Sequence, residues 1–198
     1  MSIQNIISHI DRTCLVGVDE VGRGAWAGPL VVGAVIIDAP VVGLNDSKLV
    51  PKWQRAQISQ KINECAIATG LGWVWPPEID ELGLTAATSL AIQRALATIP
   101  SYDCIVIDGS VNFLPNDSRA ITMVGADKLL PAVSAASILA KVARDQYMAE
   151  QQSRYPEYGF EAHVGYGTTR HRKAIEVYGI TKLHRLSFKP VQAYAQSK

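Results

Sequence analysis

The chain has 198 residues, enough for one large domain, and its 19 Lys and Arg against 18 Asp and Glu give a formal net charge of +1. Its 48% hydrophobic residues argue against disorder, and three widely spaced cysteines argue against a disulfide framework or a cysteine-type zinc site. No apolar run reaches the ~18–20 residues that cross a bilayer, and the start lacks a secretory pattern. We therefore expect a cytoplasmic protein with no membrane partner.

The near-zero net charge hides an asymmetry between two parts of the chain. Residues 1–140 carry 9 basic and 13 acidic side chains, whereas residues 141–198 carry 10 basic and 5 acidic side chains and three of the four histidines. This division favours a polyanionic partner that is held by the basic part while acidic residues act elsewhere. Chance clustering of charge on solvated helices is the alternative that composition leaves open.

Apolar, β-branched runs alternate with helical patterns along the chain. In chain order, the pattern predicts strands at 14–20 and 30–38, a helix at 47–66, a strand at 70–75, a helix at 78–99, strands at 102–109 and 120–125, a helix at 131–152 and one more helix within 166–179. Strands that alternate with helices after an opening strand pair favour a mixed sheet covered by helices. The fold class is therefore α/β, at the border with α+β.

Three of the predicted strands end in acidic residues. Asp19 and Glu20 end the first strand, Asp108 ends the fourth, and Asp127 follows the fifth. Strand carboxyl ends are where sites gather in sheets with helical crossovers, and clustered acids repel one another unless a cation is present. Because only oxygen ligands are available, the pattern predicts Mg²⁺ or Mn²⁺, and two such ions would suit phosphodiester cleavage.

A structural interpretation of these acids stands beside the catalytic one. An acid after a strand is commonly a turn-forming or helix-capping residue. In addition, neighbouring side chains of a regular strand point to opposite faces, so Asp19 and Glu20 can share a site only where the strand ends or bulges.

The glycine-rich segment after the first strand has a spacing close to that of a dinucleotide-binding fingerprint. Its third glycine, Gly28, comes one position late, and a β-branched run follows it where that fingerprint needs a helix. A turn that a ligand can approach closely, with Arg23 available to a phosphate, fits the residues better.

Six motifs then occur together and in order. They are GVDEVGRGAWAGPLVVGAV, LNDSK, VIDG, SAASILAKVARD, YPEYGFEAHVGYGT and HRLSFKPV. From about residue 14 to residue 191 the chain resembles the ribonuclease HII family, the type 2 ribonucleases H. The resemblance implies a ribonuclease H-like fold with a mixed five-stranded sheet flanked by helices. We expect one catalytic domain over residues 1–198, basic and helical from about residue 141, that acts as a monomer.

The resemblance also implies an activity. The family cleaves the RNA strand of RNA/DNA hybrids and nicks duplex DNA on the 5′ side of embedded ribonucleotides, using Mg²⁺ or Mn²⁺ in a two-ion site. We expect products with 3′-hydroxyl and 5′-phosphate ends. The partners are then the RNA/DNA hybrid and ribonucleotide-containing duplex DNA, and the basic part of the chain would bind their phosphates.

Residue roles follow from the resemblance, position by position. The metal-binding catalytic acids are Asp19, Glu20, Asp108 and Asp127. The GRG element is Gly22, Arg23 and Gly24, whose backbone would read the ribose 2′-hydroxyl. Tyr166 would pack on the neighbouring deoxyribose. Secondary, phosphate-contacting roles fall on Ser47, Lys48, Ser137 and Lys141.

Asp145 also fits the acidic pattern and competes with Asp127 for the fourth position. We prefer Asp127 because it follows a strand, whereas an ion pair with Lys141, four residues earlier on the same helix, explains Asp145.

The histidines and two other functions complete the sequence expectations. His163, His171 and His184 match no zinc spacing, and we expect them at the surface or on phosphates. A different two-metal nuclease of the same fold is one alternative, against which the GRG and GYGT motifs argue. A nucleic-acid-binding module with a disabled site is the other, against which the complete set of acids argues.

Overall fold

The computed structural model describes residues 11–38, 41, 43–44 and 50–195. Within these residues five strands form one mixed sheet in the order β3-β2-β1-β4-β5. The strands are β1 (Leu15–Val21), β2 (Leu30–Ile36), β3 (Ala68–Val74), β4 (Cys104–Asp108) and β5 (Ala120–Met123). β1, β2 and β3 are antiparallel neighbours, whereas β4 runs parallel to both β1 and β5. The predicted mixed sheet is confirmed, and each strand limit lies within two residues of its prediction.

Seven α-helices lie in the described part of the chain. They are α1 (Lys52–Cys65), α2 (Pro76–Leu82), α3 (Leu84–Leu96), α4 (Pro131–Glu150), α5 (Phe160–His163), α6 (Thr169–Tyr178) and α7 (Lys189–Ala195). The single helix predicted over 78–99 is wrong, because Gly83, with a φ of +75°, separates α2 from α3. The sequence patterns did not predict α5 or α7. None of these helices is both long and apolar enough to cross a membrane.

Two apolar clusters cover the two faces of the sheet. On one face, Val16, Val18 and Ile107 pack with residues of α3 such as Ala91. On the other face, residues of β1, β2 and β4 pack against α4 and, beyond it, against Ile58 and other residues of α1. A third cluster joins the second half of α4 to α5 and α6. The protein is thus a sheet between helices, as the α/β pattern predicts.

Two strand glycines bring α4 into direct contact with the sheet. A Cβ at Gly17 of β1 would overlap the backbone of Ala132 and Val133, and a Cβ at Gly33 of β2 would overlap the backbone of Ala136. Only glycine therefore permits this approach, since backbone cannot give way as a flexible side chain can. The contact places the following turns of α4 beside the carboxyl end of β1.

Candidate active site

The carboxyl ends of the parallel strands β1 and β4 carry three acids side by side. Val18 of β1 pairs with Ile107 of β4, so the next residues along the two strands, Asp19 and Asp108, are neighbours. Glu20 follows Asp19 directly, one residue before β1 ends at Val21. The parallel pairing therefore brings three of the four predicted acids to one edge of the sheet.

These acids line one cleft of about 280 Å³. Its walls are formed by Asp19, Glu20, Val21, Arg55, Asp108, Ser137, Ile138 and Lys141. Asp19 and Glu20 both reach the cleft although they are consecutive strand residues, because β1 ends beside it. This is the condition that the alternation of strand side chains requires.

The environment of Asp19 disfavours its charged form. Burial raises the pKa of Asp19 to about 7, and repulsion from Glu20 and Asp108 adds to this effect. Hydrogen bonds from the Ser137 hydroxyl and from the Glu20 amide, 2.8 Å from Asp19 Oδ1, oppose the rise without cancelling it. Burial also raises the pKa of Glu20, against the attraction of Arg23. A cation bound between the acids would relieve this repulsion.

Asp127 lies next to this group but does not line the cleft. It is buried on a 3-10 turn, Ala126–Lys128, whose first amide donates to Asp108 Oδ1 at 2.8 Å. In the side-chain positions of the structure, no three His, Cys, Asp or Glu residues among those described are close enough to hold one ion together. Asp127 as a fourth ligand therefore stays a prediction.

Two cationic side chains also line the cleft. Lys141 on α4 lies there, and its Nζ is also 2.7 Å from Asp145 Oδ1, so the predicted ion pair is confirmed. Arg55 on α1 is a cleft residue that sequence reasoning missed, since it belongs to no recognised motif and reaches the cleft only because α1 packs on α4. Ser137 bonds the carboxylate of Asp19. Ser47 and Lys48 lie outside the described residues.

The GRG element forms the turn that follows β1. Gly22 has a φ of +83°, and a Cβ there would overlap the Arg144 guanidinium, so the fold requires this glycine. Gly24 is different: it is exposed, its φ is not in the left-handed region, and no atom lies within 4 Å of a Cβ built on it. The fold therefore does not need glycine at position 24. A ligand that approaches this backbone would need it, because a side chain there would stand in the way.

Tyr166 stands beside this turn on a loop that is bonded to it. The carbonyl oxygen of Gly165 accepts hydrogen bonds from the amides of Trp26 and Ala27, at 2.9 and 3.2 Å. The Tyr166 side chain is 37% exposed, and its ring centroid lies 5.6 Å from the Arg144 guanidinium carbon. The structure thus places both predicted ribose-contacting elements together.

The three C-terminal histidines are buried, so the prediction that they lie at the surface or on phosphates is wrong. His163 Nδ1 accepts from the Gly165 amide at 3.2 Å, and His171 Nδ1 donates to the Tyr166 carbonyl oxygen at 3.0 Å. Burial lowers the pKa of His163, and it lowers the pKa values of His171 and His184 to about 4. They are neutral at pH 7 and support the Tyr166 loop from inside.

Comparison with known proteins assigns a family. The family model for ribonuclease HII matches residues 16–191. Ribonuclease HII of Vibrio vulnificus (strain YJ016) is 46% identical over 185 residues, 90% of this chain and 87% of that protein. That of Thermosynechococcus vestitus is 42% identical over 177 residues, 88% of this chain and 83% of that protein. The crystal structure of the ribonuclease H2 from Pyrococcus horikoshii OT3 matches with a TM-score of 0.77 at 27% identity, covering 91% of this chain and 96% of that one.

Proposed function

The chain belongs to the ribonuclease HII family, whose members are metal-dependent endoribonucleases that act on RNA/DNA hybrids, and from this premise we propose that it also nicks duplex DNA on the 5′ side of embedded ribonucleotides by two-metal-ion hydrolysis. The observation that carries the proposal is the cleft in which Asp19, Glu20 and Asp108 meet, next to the GRG turn. This arrangement supports the proposal, because phosphodiester cleavage in the cleft would take place beside a backbone that a ribose can approach.

The donor atoms of the cleft fit Mg²⁺ or Mn²⁺. All of its acidic ligands are carboxylate oxygens, which hard divalent ions prefer. Burial and, beside it, the neighbouring acids raise the pKa of Asp19, so a cation bound among these carboxylates would stabilise its charged form. Asp19, Glu20 and Asp108 would hold the ions, with Asp127 on the adjoining turn as the fourth ligand. When bound, two such ions supply an acidified water and neutralise charge on the scissile phosphate.

The remaining cleft residues orient the carboxylates and the substrate. Ser137 holds Asp19 in place through its hydroxyl. Lys141 and Arg55, which line the same cleft, would bind the non-bridging oxygens of the phosphate. Water attacks phosphorus, the bond to the 3′ oxygen of the preceding nucleotide breaks, and that oxygen takes a proton. The products carry a 3′-hydroxyl and a 5′-phosphate.

Ribose recognition would come from the GRG turn and Tyr166. The exposed backbone at Gly24 can approach a 2′-hydroxyl, the group that distinguishes RNA from DNA. Tyr166, on the loop bonded to this turn, would pack on the next sugar and favour a deoxyribose there. Together these contacts would place the ribonucleotide on the 3′ side of the cleaved bond.

The exposed basic residues of the C-terminal part would hold the duplex. They are Arg154, Arg170, Arg172, Lys173, Lys182 and Lys189. Contacts of this kind give affinity that depends on salt and not on sequence. Arg144 and Arg185 are buried and unavailable for this purpose, which corrects the expectation that the whole basic part binds phosphates. We treat residues 1–198 as one catalytic domain that acts as a monomer in the cytoplasm.

A labelled duplex with a single ribonucleotide tests the proposal. We expect one cut on the 5′ side of the ribonucleotide with Mg²⁺ or Mn²⁺, none with EDTA, and none in the matched all-DNA duplex. Asp108→Asn should stop cutting while binding to the hybrid persists, since Asn can still accept the bond from Ala126. Cutting of plain DNA would favour another two-metal nuclease, and binding without cutting under every metal condition would favour a binding module.

A further inference from the structure

Two buried arginines lie beneath the glycine-rich turn. Arg144 donates to the carbonyl oxygens of Ala27, Pro29 and Val164 at 2.8–3.1 Å. Arg185 donates from Nε to the carbonyl oxygen of Gly28 and from Nη1 to that of Arg23, both at 3.0 Å. Neither side chain forms an ion pair with a carboxylate of the described residues. Backbone carbonyl oxygens are therefore their direct hydrogen-bond partners, while nearby Tyr166, Asp145 and Asp80 favour the charged forms at longer range.

The bond from Arg185 to Arg23 sets the direction of the next amide. No described peptide bond is cis, so the C=O and N–H of the Arg23–Gly24 peptide point in opposite directions. The carbonyl points inward, to a fully buried guanidinium. The Gly24 N–H consequently points outward, at an exposed residue with open space around it. It donates no hydrogen bond within the part of the chain that the structure describes.

The charge of Arg185 also strengthens this amide as a donor. A hydrogen bond from a cation polarises the peptide that accepts it, and the polarised N–H binds an oxygen more tightly. Burial, followed by repulsion from Arg144, lowers the pKa of Arg185 to about 9. The side chain is thus still a cation at pH 7. Arg185 therefore both orients the Gly24 N–H and strengthens it as a hydrogen-bond donor.

We propose that Arg185 is a positioning residue, which holds the Arg23–Gly24 peptide so that the Gly24 N–H is presented to the 2′-hydroxyl oxygen of the ribonucleotide. The inference rests on the proposed function of the GRG turn and adds to it a residue, far along the chain, that makes the turn selective. A deoxyribose has no oxygen at that place, so the oriented amide has no partner there. Loss of Arg185 should then reduce the preference for ribose before it affects the carboxylates.

Amide resonances test the orientation directly in the intact protein. With glycine labelled by ¹⁵N, the Gly24 resonance should shift when a duplex with one ribonucleotide is added in EDTA, and should shift far less with the all-DNA duplex. In the free protein, Arg185→Lys should also move this resonance, because a lysine cannot span both carbonyl oxygens. An unchanged Gly24 resonance in the free variant would refute the positioning role, whatever the substrate proves to be.

Binding measurements in EDTA test the consequence for selectivity. For Arg185→Lys we expect the ratio of affinities for the two duplexes to fall about tenfold or more, in line with the loss of a charge-assisted bond. Asp80→Ala is the matched control. It removes acceptors from the amides of Leu186 and Ser187 and so loosens the same segment. It also removes a negative charge that favours the Arg185 cation, but Arg185 stays charged at pH 7 without it and its bond to Arg23 is kept. The affinity ratio of Asp80→Ala should stay within about twofold of wild type.

The outcomes separate the inference from the function on which it rests. An Arg185→Lys protein that folds and keeps the wild-type ratio would overturn the inference, as would an Asp80→Ala protein that loses as much. If Arg185→Lys does not fold, the wild-type Gly24 resonance decides. A resonance that does not shift on addition of the duplex with one ribonucleotide would mean that the Gly24 amide does not bind the 2′-hydroxyl, and the inference would fail. A wild-type protein without any preference for ribose would instead refute the proposed function.

Discussion

In the interior of the C-terminal part, His171 Nε2 lies 3.1 Å from His184 Nε2. The outer nitrogens have backbone partners: His171 Nδ1 faces the Tyr166 carbonyl, and His184 Nδ1 accepts from the Thr181 amide at 2.8 Å. Both rings are then neutral, with the proton between them carried by His184. A protonated ring would have no acceptor at this contact, so the pair makes folding sensitive to acid.

We expect stability to fall as the pH decreases from about 6.5 toward 4. Burial lowers the pKa of His171 and of His184 from 6.5 to about 4, so the unfolded chain takes up protons in this window while the folded chain does not. Above pH 6.5 neither ring contributes a pH dependence. At pH 5, the lowered pKa of one such ring reduces the free energy of unfolding by roughly 2 kcal/mol relative to pH 7. Thermal unfolding from pH 4 to 8 measures this loss of stability. A His171→Gln variant whose stability falls with pH as steeply as that of the wild type would contradict the prediction.

Asp19→Asn should abolish cutting and yet stabilise the metal-free protein at pH 8. The pKa of Asp19 is raised from 3.8 to about 7 in the folded protein, so between pH 4 and 7 the unfolded chain releases a proton that the folded chain keeps. Stability is lost across this window, the loss is complete above pH 7, and an amide avoids it. We expect a gain of a few kcal/mol in EDTA at pH 8, since the shift of about three pKa units corresponds to at most about 4 kcal/mol, and little or none at pH 4. Thermal unfolding at the two pH values checks the sign. Asp38→Asn, at an exposed position, is the control.

The two outer glycines of the GRG element should respond differently to alanine. Gly22→Ala meets both a left-handed φ and the Arg144 side chain, so we expect it to lower the free energy of unfolding by about 2 kcal/mol or more. Gly24→Ala should leave the unfolding temperature within about 2 °C of wild type and reduce cleavage at a ribonucleotide at least tenfold. Normal cleavage by Gly24→Ala would show that no ligand approaches this backbone.

Tyr166→Ala should harm incision at a single ribonucleotide more than it harms folding. The ring is partly exposed and its removal opens no buried cavity. We expect kcat/KM on the single-ribonucleotide duplex to fall about tenfold or more, as for a lost base- or sugar-stacking contact. Tyr166→Phe should retain most of this activity. An equal loss in unfolding temperature and in activity would make Tyr166 a structural residue.

Arg55→Ala should slow cleavage with little effect on stability. Arg55 lines the same cleft as Asp19, Glu20 and Asp108, and in the proposed function it binds an oxygen of the scissile phosphate. We expect kcat to fall about 10²-fold, the effect of losing one preorganised cation from a transition state. Lys52→Ala is the control, because Lys52 is an exposed cation of the same helix that does not line the cleft. Equal effects of the two changes would mean that general charge, and not position, matters.

The sequence predicted what depends on local pattern. The five strands follow from β-branched runs, and the meeting of Asp19, Glu20 and Asp108 follows from acids at the ends of strands that pair in parallel. What it missed depends on contacts between distant segments. Arg55 reaches the cleft through helix packing, and Arg185 meets Arg23 across 162 residues. No periodicity records such a contact, and a basic residue looks the same in sequence whether it is buried or exposed.

The GRG turn and the Tyr166 loop share the carbonyl oxygen of Gly165. If they contact the ribonucleotide and its neighbour as proposed, the two contacts cannot be altered independently. The amides of Trp26 and Ala27, which follow the GRG turn, both donate to this one oxygen at the start of the Tyr166 loop. A substitution that displaces one of the two segments strains these hydrogen bonds and so affects the other segment as well. Engineering an enzyme that is specific for hybrids alone, or for isolated ribonucleotides alone, would first require a change that removes these shared hydrogen bonds.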